Sequence, residues 1–468
     1  MEYRLLLPEL VLAVGILAII LVDLWTAVER KRWTAFGLAA LTFGAYLIAV
    51  TSLVGVKEVA FAGHLLVDDW STFFKLFFGI TGLLMLLLSF EYVKERALPP
   101  AEFLALLIGA YLGISILLGS ENLLTLYIGL ELISLTSYLL AAFLRQDPLS
   151  TEAGLKYFLL GSIASAALLC GISFLYGVTG SLSLIVLAQH LAVAQGMVVT
   201  GTILLLSGLL FKLAAVPFQV WAPDALQGAP TPITAFFSVG AKVAVLAFFG
   251  RFLALFAGEF AQEINYYFLL IAIASMTIGN LAALRQTNLK RLMAYSSIAH
   301  VGYLLVAFVL GTPAAYAALQ VYVAVYAAAN LGIFAIILWA ESQGRGLEIQ
   351  GFQGLGRVQP LFGLALGVFV FSLVGIPPTG GFMGKLLLFM ASVEEAHYLL
   401  AVIMVLNGVL SVAYYYRMLR SAFFEEGEWN LQEGDGHALG AVVLVAVVVI
   451  LFTGVWPGWL QGLTSLPM

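Results

Sequence analysis

Fourteen long apolar runs, most of them about twenty residues, constrain this chain more than any other feature. They fall near 4–26, 33–54, 72–91, 101–119, 121–143, 153–177, 197–226, 231–257, 263–284, 290–310, 313–341, 359–393, 396–423 and 437–457. About twenty apolar residues cross the hydrocarbon of a bilayer. Inside hydrocarbon each backbone N–H and C=O must find its partner within the segment, so the runs predict helices. Of the 468 residues 62% are hydrophobic and 10% charged, against roughly 25% charged in a soluble domain. An all-α polytopic membrane protein of about 14 spans is expected, and the spans leave no room for a folded domain outside the bilayer. The first run lacks a basic segment before it and is read as a retained helix.

Composition excludes several kinds of chemistry. A single cysteine, Cys170, rules out an internal disulfide, a Cys-ligated zinc and an iron–sulfur cluster held by this chain alone. Five scattered histidines do not make a metal site, and a net charge of −5 argues against nucleic acid. No nucleophile–base arrangement or phosphate loop is present, and GFQGLG at 351–356 lacks the strand–helix setting of a dinucleotide fingerprint. No cofactor is expected in this chain. Basic residues are distributed unevenly. Loops after odd-numbered spans hold thirteen of them (Arg30, Lys31, Arg32, Lys94, Arg96, Arg145, Arg285, Lys290, Arg291, Arg345, Arg357, Arg417 and Arg420), and the opposite face holds Arg4, Lys57 and Arg251. That asymmetry places the odd loops in the cytoplasm and both termini on the other side.

The remaining five basic residues lie within spans. Lys75 and Lys156 fall near span ends, where a long side chain reaches the interface. Lys212, Lys242 and Lys385 do not, and Glu131 sits near the middle of span five. An ionisable group at a helix centre costs about 2.5–3.5 kcal/mol on insertion scales, so three of them in neighbouring helices, Lys212, Lys242 and Glu131, point to ion or proton handling. A Glu–Lys pair that only staples helices together is the structural alternative, and it leaves a lysine over. His300 is either a member of the same group or a hydrogen-bonded packing residue.

Prolines mark two breaks. Pro217 removes the donor that the carbonyl of Leu213 would use, and Pro377 and Pro378 do the same for Leu373 and Val374. Gly380 and Gly381 are expected to permit unwinding there. Ordinary proline kinks would explain the same residues, but broken helices beside buried charges are the usual mark of an ion pathway. The breaks stand five spans apart, which predicts two five-helix repeats, the second inverted. The expected divisions are 1–100 for three N-terminal helices, 101–260 for the first repeat, 261–430 for the second and 431–468 for a last helix.

Five blocks carry a resemblance: LLPELVLAVGILAIILVDL at the start, TEAGLKYFLLGSIAS at 151–165, FKLAAVPFQVWAPDALQGAPTPITAFFSVGAKVAVL at 211–246, LRQTNLKRLMAYSSIAHVGYLL at 284–305 and FSLVGIPPTGGFMGKLLLF at 371–389. They resemble subunit N among the antiporter-like membrane subunits of NADH–quinone oxidoreductase (respiratory complex I). The resemblance implies a proton channel built on broken helices seven and twelve. Proton movement would be driven by quinone reduction in other subunits, which hold the FMN and iron–sulfur clusters. By position it makes Glu131 the span-five glutamate paired with Lys212, Lys242 a bridging lysine, His300 part of a central polar axis, and Lys385 the lysine near the exit. Neighbouring antiporter-like subunits are the implied partners, and a bacterial inner membrane the implied location. Gln219 departs from the histidine many relatives have there and cannot titrate near neutral pH. Asp224 reads as a cap or loop anchor. The alternative within the same fold is a cation/proton antiporter subunit of the Mrp type. A stand-alone solute transporter and a purely structural subunit are more distant alternatives.

Overall fold

A computed structural model describes residues 2–190, 195–254, 259–429 and 436–461. Its elements, in order, are α1 (Leu7–Trp25), α2 (Lys31–Thr51), a two-stranded antiparallel hairpin β1 (Glu58–Ala60) and β2 (Leu65–Val67), then α3 (Asp69–Glu95), α4 (Pro100–Leu118), α5 (Leu123–Ala141), α6 (Pro148–Thr179) and α7 (Leu184–His190). There follow α8 (Gln195–Leu213), α9 (Trp221–Gly228), α10 (Thr231–Ala254), α11 (Glu259–Ala283), α12 (Leu289–Leu310), α13 (Pro313–Ser342) and α14 (Leu355–Val358). The last are α15 (Pro360–Val374), α16 (Gly380–Glu394), α17 (Tyr398–Phe424), α18 (His437–Val455) and α19 (Gly458–Gln461). Among the described residues thirteen helices are long and apolar enough to cross a membrane. The fourteenth expected span, the twelfth in order, is the broken pair α15 and α16.

Several helices start where a side chain supplies a partner for their orphan N–H groups. Asp68 and Ser71 form a capping box on α3, and Asn122, Asp147, Asn288 and Thr312 cap α5, α6, α12 and α13 with their side chains. Helix α10 is buried on all sides from Thr231 to Phe252, as in a helix enclosed by others. It packs with α12 and α13 at the centre, while α1, α6, α17 and α18 present broad apolar faces outward.

The expected repeat is visible in the backbone. Asn122 and Asn288 occupy the same cap; Leu123 N–H bonds to Leu182 O at 2.9 Å, and Leu289 N–H to Leu347 O at 2.8 Å. Gly113 lets α4 approach α5 so closely that a Cβ there would lie 2.8 Å from Ile133 N. Gly279 does the same between α11 and α12, with a Cβ 2.6 Å from Ala299 N. Small residues are what allow such contact between helices in lipid. The two glycines stand 166 residues apart, as do the two asparagines and the contacted nitrogens. Five crossings, α4, α5, α6, the α8–α9 pair and α10, are therefore repeated in α11, α12, α13, the α15–α16 pair and α17, and an odd number inverts the second set.

Candidate functional site

Both expected breaks are present, and they have the same construction. Helix α8 ends at Leu213, and Ala214 takes φ +55° in the left-handed region. Ala215 N–H then bonds to Leu210 O (3.1 Å) and Phe218 N–H to Ala215 O (2.6 Å), across a cis Val216–Pro217 bond. Helix α15 ends at Val374, and Gly375 takes φ +92°. Ile376 N–H bonds to Phe371 O (2.9 Å) and Thr379 N–H to Ile376 O (3.2 Å), across a cis Pro377–Pro378 bond. The equivalent residues stand 161 apart.

One expectation is corrected here. Gly380 and Gly381 are not unwound; they form the first turn of α16, and the turn itself uses Gly375. They are small for another reason, close approach: a Cβ on Gly381 would lie 1.9 Å from Ser372 O, and one on Gly380 2.7 Å from Val325.

Lys212, in the last turn of α8, is 3% exposed. Its Nζ donates to Ser134 Oγ (2.6 Å) and Tyr138 OH (3.1 Å), both on α5. Glu131, one turn from Ser134, turns instead toward α6 and accepts from Ser165 Oγ. Glu131 and Lys212 thus share α5 as a platform without touching, since the lysine reaches α5 one to two turns beyond the carboxylate. Lys242, mid-way along α10 and 1% exposed, donates to Ser297 Oγ on α12. His300 follows one turn later: its Nδ1 pairs with Tyr322 OH (2.8 Å) on α13 and its Nε2 with Tyr415 OH (3.3 Å) on α17. Tyr415 also bonds Ser296.

Lys385, in α16, donates to Leu373 O (2.7 Å) and Val374 O (2.9 Å), the two carbonyls that Pro377 and Pro378 leave without helical donors. Its Nζ sits 4.6 Å from the ring of Tyr303, whose own ring lies 6.2 Å from His300. Lys242, Ser297, His300, Tyr303 and Lys385 therefore follow one another in a row, Ser297, His300 and Tyr303 at successive turns of α12, with Lys385 half-buried at its end. Between Lys212 and Lys242 the contacts are aromatic, running from Tyr138 to Tyr157 at 4.7 Å and on to Phe237 at 5.6 Å. Charged and hydroxyl groups set one after another in a buried interior can pass protons; among the described residues no cluster of His, Cys, Asp or Glu could hold a metal.

Several participants went unread in the sequence. Ser134 and Tyr138 follow Glu131 at helical spacing, a signal that was available. Ser297 and Tyr303 flank His300 in the same way. Tyr322 and Tyr415 come from distant helices and give no local signal. Lys75, expected to reach the interface, is 2% exposed and paired with Glu9 at 2.6 Å. Its partner comes from α1, and Gly119 at the end of α4 lies beside its Nζ, neighbours that its position near a span end does not reveal. Arg251 and Lys290, counted as loop residues, are also buried; Arg251 pairs with Asp68 at 2.7 Å, and Lys290 donates to Ala229 O.

Asp224 is an anchor as expected. It accepts from Lys156 (2.7 Å) and Arg291 (2.6 Å), so it ties the start of α9 to both repeats. Gln219 lies in the first break, and its buried Oε1 has no donor among the described residues.

The transmembrane family described as NADH:quinone oxidoreductase/Mrp antiporter matches residues 120–411. NADH-quinone oxidoreductase subunit N of Rhodospirillum rubrum is 39% identical over 458 residues, covering 95% of this chain and 93% of that protein. A chain of respiratory complex I from Thermus thermophilus superposes with TM-score 0.82 at 32% identity, covering 97% of this chain and 98% of that one. A chain of the Mrp complex from Dietzia sp. DQ12-45-1b superposes with TM-score 0.84 at 22% identity over 99% and 96% of the two chains, a likeness of fold. With its paired breaks and buried lysine row, the chain belongs to the NADH:quinone oxidoreductase/Mrp antiporter membrane family, among the subunit N proteins of NADH-quinone oxidoreductase.

Proposed function

We propose that this chain translocates protons as a membrane subunit of NADH-quinone oxidoreductase, with no redox group and no bond-making centre of its own. Quinone reduction elsewhere in the complex, by subunits that carry the FMN and iron–sulfur clusters, supplies the energy. The observation that carries this reading is the row Lys242–Ser297–His300–Tyr303–Lys385, which runs from the buried middle of α10 to the second broken helix. An ammonium buried within the membrane is costly and so marks a functional site, and here each lysine faces neutral partners that can accept its proton's hydrogen bond. Lys212 with Glu131 forms the first half of the path, and Lys385 stands toward the exit. The units 101–260 and 261–430 act as the two half-channels, 1–100 and 431–468 flank them, and the arginine-rich loops face the cytoplasm, with both termini opposite. The identity to subunit N proteins favours this reading over an Mrp-type antiporter.

The test uses the purified complex in sealed vesicles, with protons moved per NADH oxidised as the readout. Lys242→Met and Lys385→Met are each expected to lower that ratio while the complex stays assembled. An unchanged ratio in both variants refutes the proposal, and a ratio that depends on sodium would favour the antiporter alternative.

A further inference from the structure

Helix α10 carries more than Lys242. Thr231, Ser238 and Lys242 are spaced by seven and four residues, so they share one face over about 16 Å of helix at 1.5 Å per residue. Helix α13 runs antiparallel beside it and carries Tyr326, Asn330 and Glu341, spaced by four and eleven, again on one face. Two hydrogen bonds fix these faces against each other: Thr231 Oγ1 donates to Glu341 Oε2 at 2.7 Å, and Tyr326 OH donates to Ser238 O at 2.9 Å.

Asn330 lies between those two bonds. It is fully buried; its Nδ2 donates to Tyr326 O at 2.8 Å, and its Oδ1 has no donor among the described residues. A buried acceptor without a donor is rare and calls for a reason. Along α13 it stands between the two residues, Tyr326 and Glu341, that bond to α10. At the outer end Glu341 is paired with Arg96 (2.5 Å), and Arg96 lines a cleft of ≈ 660 Å³ on the arginine-rich face, shared with Glu102, Arg145 and Asp147.

We infer that the α10–α13 interface is a proton-uptake route to Lys242, running from this cleft through Glu341 and Thr231, past Asn330, to Ser238. It reaches Lys242 without passing Lys212 or Glu131, from which Lys242 is separated by the Tyr157 and Phe237 rings. Asn330 is a positioning residue whose free Oδ1 orients a water between Thr231 and Ser238. Glu341 gathers the proton at the mouth and gives it up when Arg96 pairs with it again. The inference rests on the proton-translocating reading above, because it supplies a proton to the same lysine.

The experiment is the proton-to-NADH ratio of the whole reconstituted complex carrying Asn330→Val, Asn330→Ser, Thr231→Val or Lys242→Met. Asn330→Val is expected to lower the ratio to the value of Lys242→Met, and Asn330→Ser, which still binds water, to restore it. A purely structural Asn330 would not be rescued by so small a residue. A wild-type ratio for Asn330→Val beside a lowered one for Lys242→Met overturns the route and leaves the function standing. Wild-type ratios in both overturn the function itself. Where Asn330→Val fails to assemble, Thr231→Val decides: a lowered ratio supports the route and an unchanged one overturns it.

Discussion

Replacing Lys75 with methionine is expected to destabilise the chain more than replacing Lys75 and Glu9 together. The Lys75 ammonium sits 2.6 Å from Glu9 Oε1, with both side chains nearly excluded from solvent. Glu9 Oε1 also accepts from Ser115 Oγ at 2.7 Å, while its Oε2 has no donor among the described residues. Lys75→Met therefore leaves a buried carboxylate with one neutral hydroxyl for company, and breaking a buried pair from one side costs about 3–5 kcal/mol. Adding Glu9→Gln removes the stranded charge and keeps an acceptor for Ser115. Neutral replacement of a whole buried pair is often close to neutral in stability, so the second substitution should return about 2 kcal/mol or more of the loss. The assay is the thermal midpoint of this chain within the purified complex for wild type, both single variants and the double. A double variant that melts below Lys75→Met, or losses that add within about 0.5 kcal/mol, would refute the buried-pair reasoning.

Two further outcomes follow from the packing and the surface. Gly113→Ala and Gly279→Ala each drive a methyl to within 2.8 Å and 2.6 Å of backbone nitrogen; each should cost about 1–3 kcal/mol as overpacking, whereas Gly367→Ala, with nothing within 4 Å, should leave the midpoint unchanged. Asp224→Ala releases Lys156 and Arg291, but all three side chains are about a third exposed or more, so the loss should stay near 1 kcal/mol and shrink further in high salt; a loss as large as that of Lys75→Met would show that α9 depends on this anchor far more than its exposure allows.

The site was legible where a residue contradicted its surroundings. Lys212, Lys242, Lys385, Glu131 and His300 stand out because a charge or imidazole inside an apolar run is expensive, and all five fall in the buried interior or on its edge. Pro377 and Pro378 were legible for the same reason: a missing N–H strands a known carbonyl, and Lys385 is found on those carbonyls. What the sequence withheld is which neighbours a helix has. Lys75 lies as near a span end as Lys156, yet one is buried against α1 and the end of α4 and the other stays half in water, and no local pattern distinguishes them. Tyr322 and Tyr415 are likewise two among many tyrosines until α13 and α17 bring them to His300.

The two halves repeat in backbone but differ in charge, and that difference bears on direction. Ala214 and Gly375 are equivalent, so Lys212, two residues before the first, matches Leu373, and Lys385, ten residues after the second, matches Asp224. At that shared place the first half holds an acid and the second a base. Asp224 reaches outward to Lys156 and Arg291 on the arginine-rich face, whereas Lys385 folds inward onto the carbonyls of its own break. Two inverted copies with identical charges would present the same electrostatics to both sides of the membrane, and a proton entering from either would meet the same sequence of sites. Exchanging acid for base at the equivalent position removes that symmetry. The duplicated backbone supplies two openings of the same shape, and the unmatched side chains make one of them different from the other, which a path that carries protons one way requires.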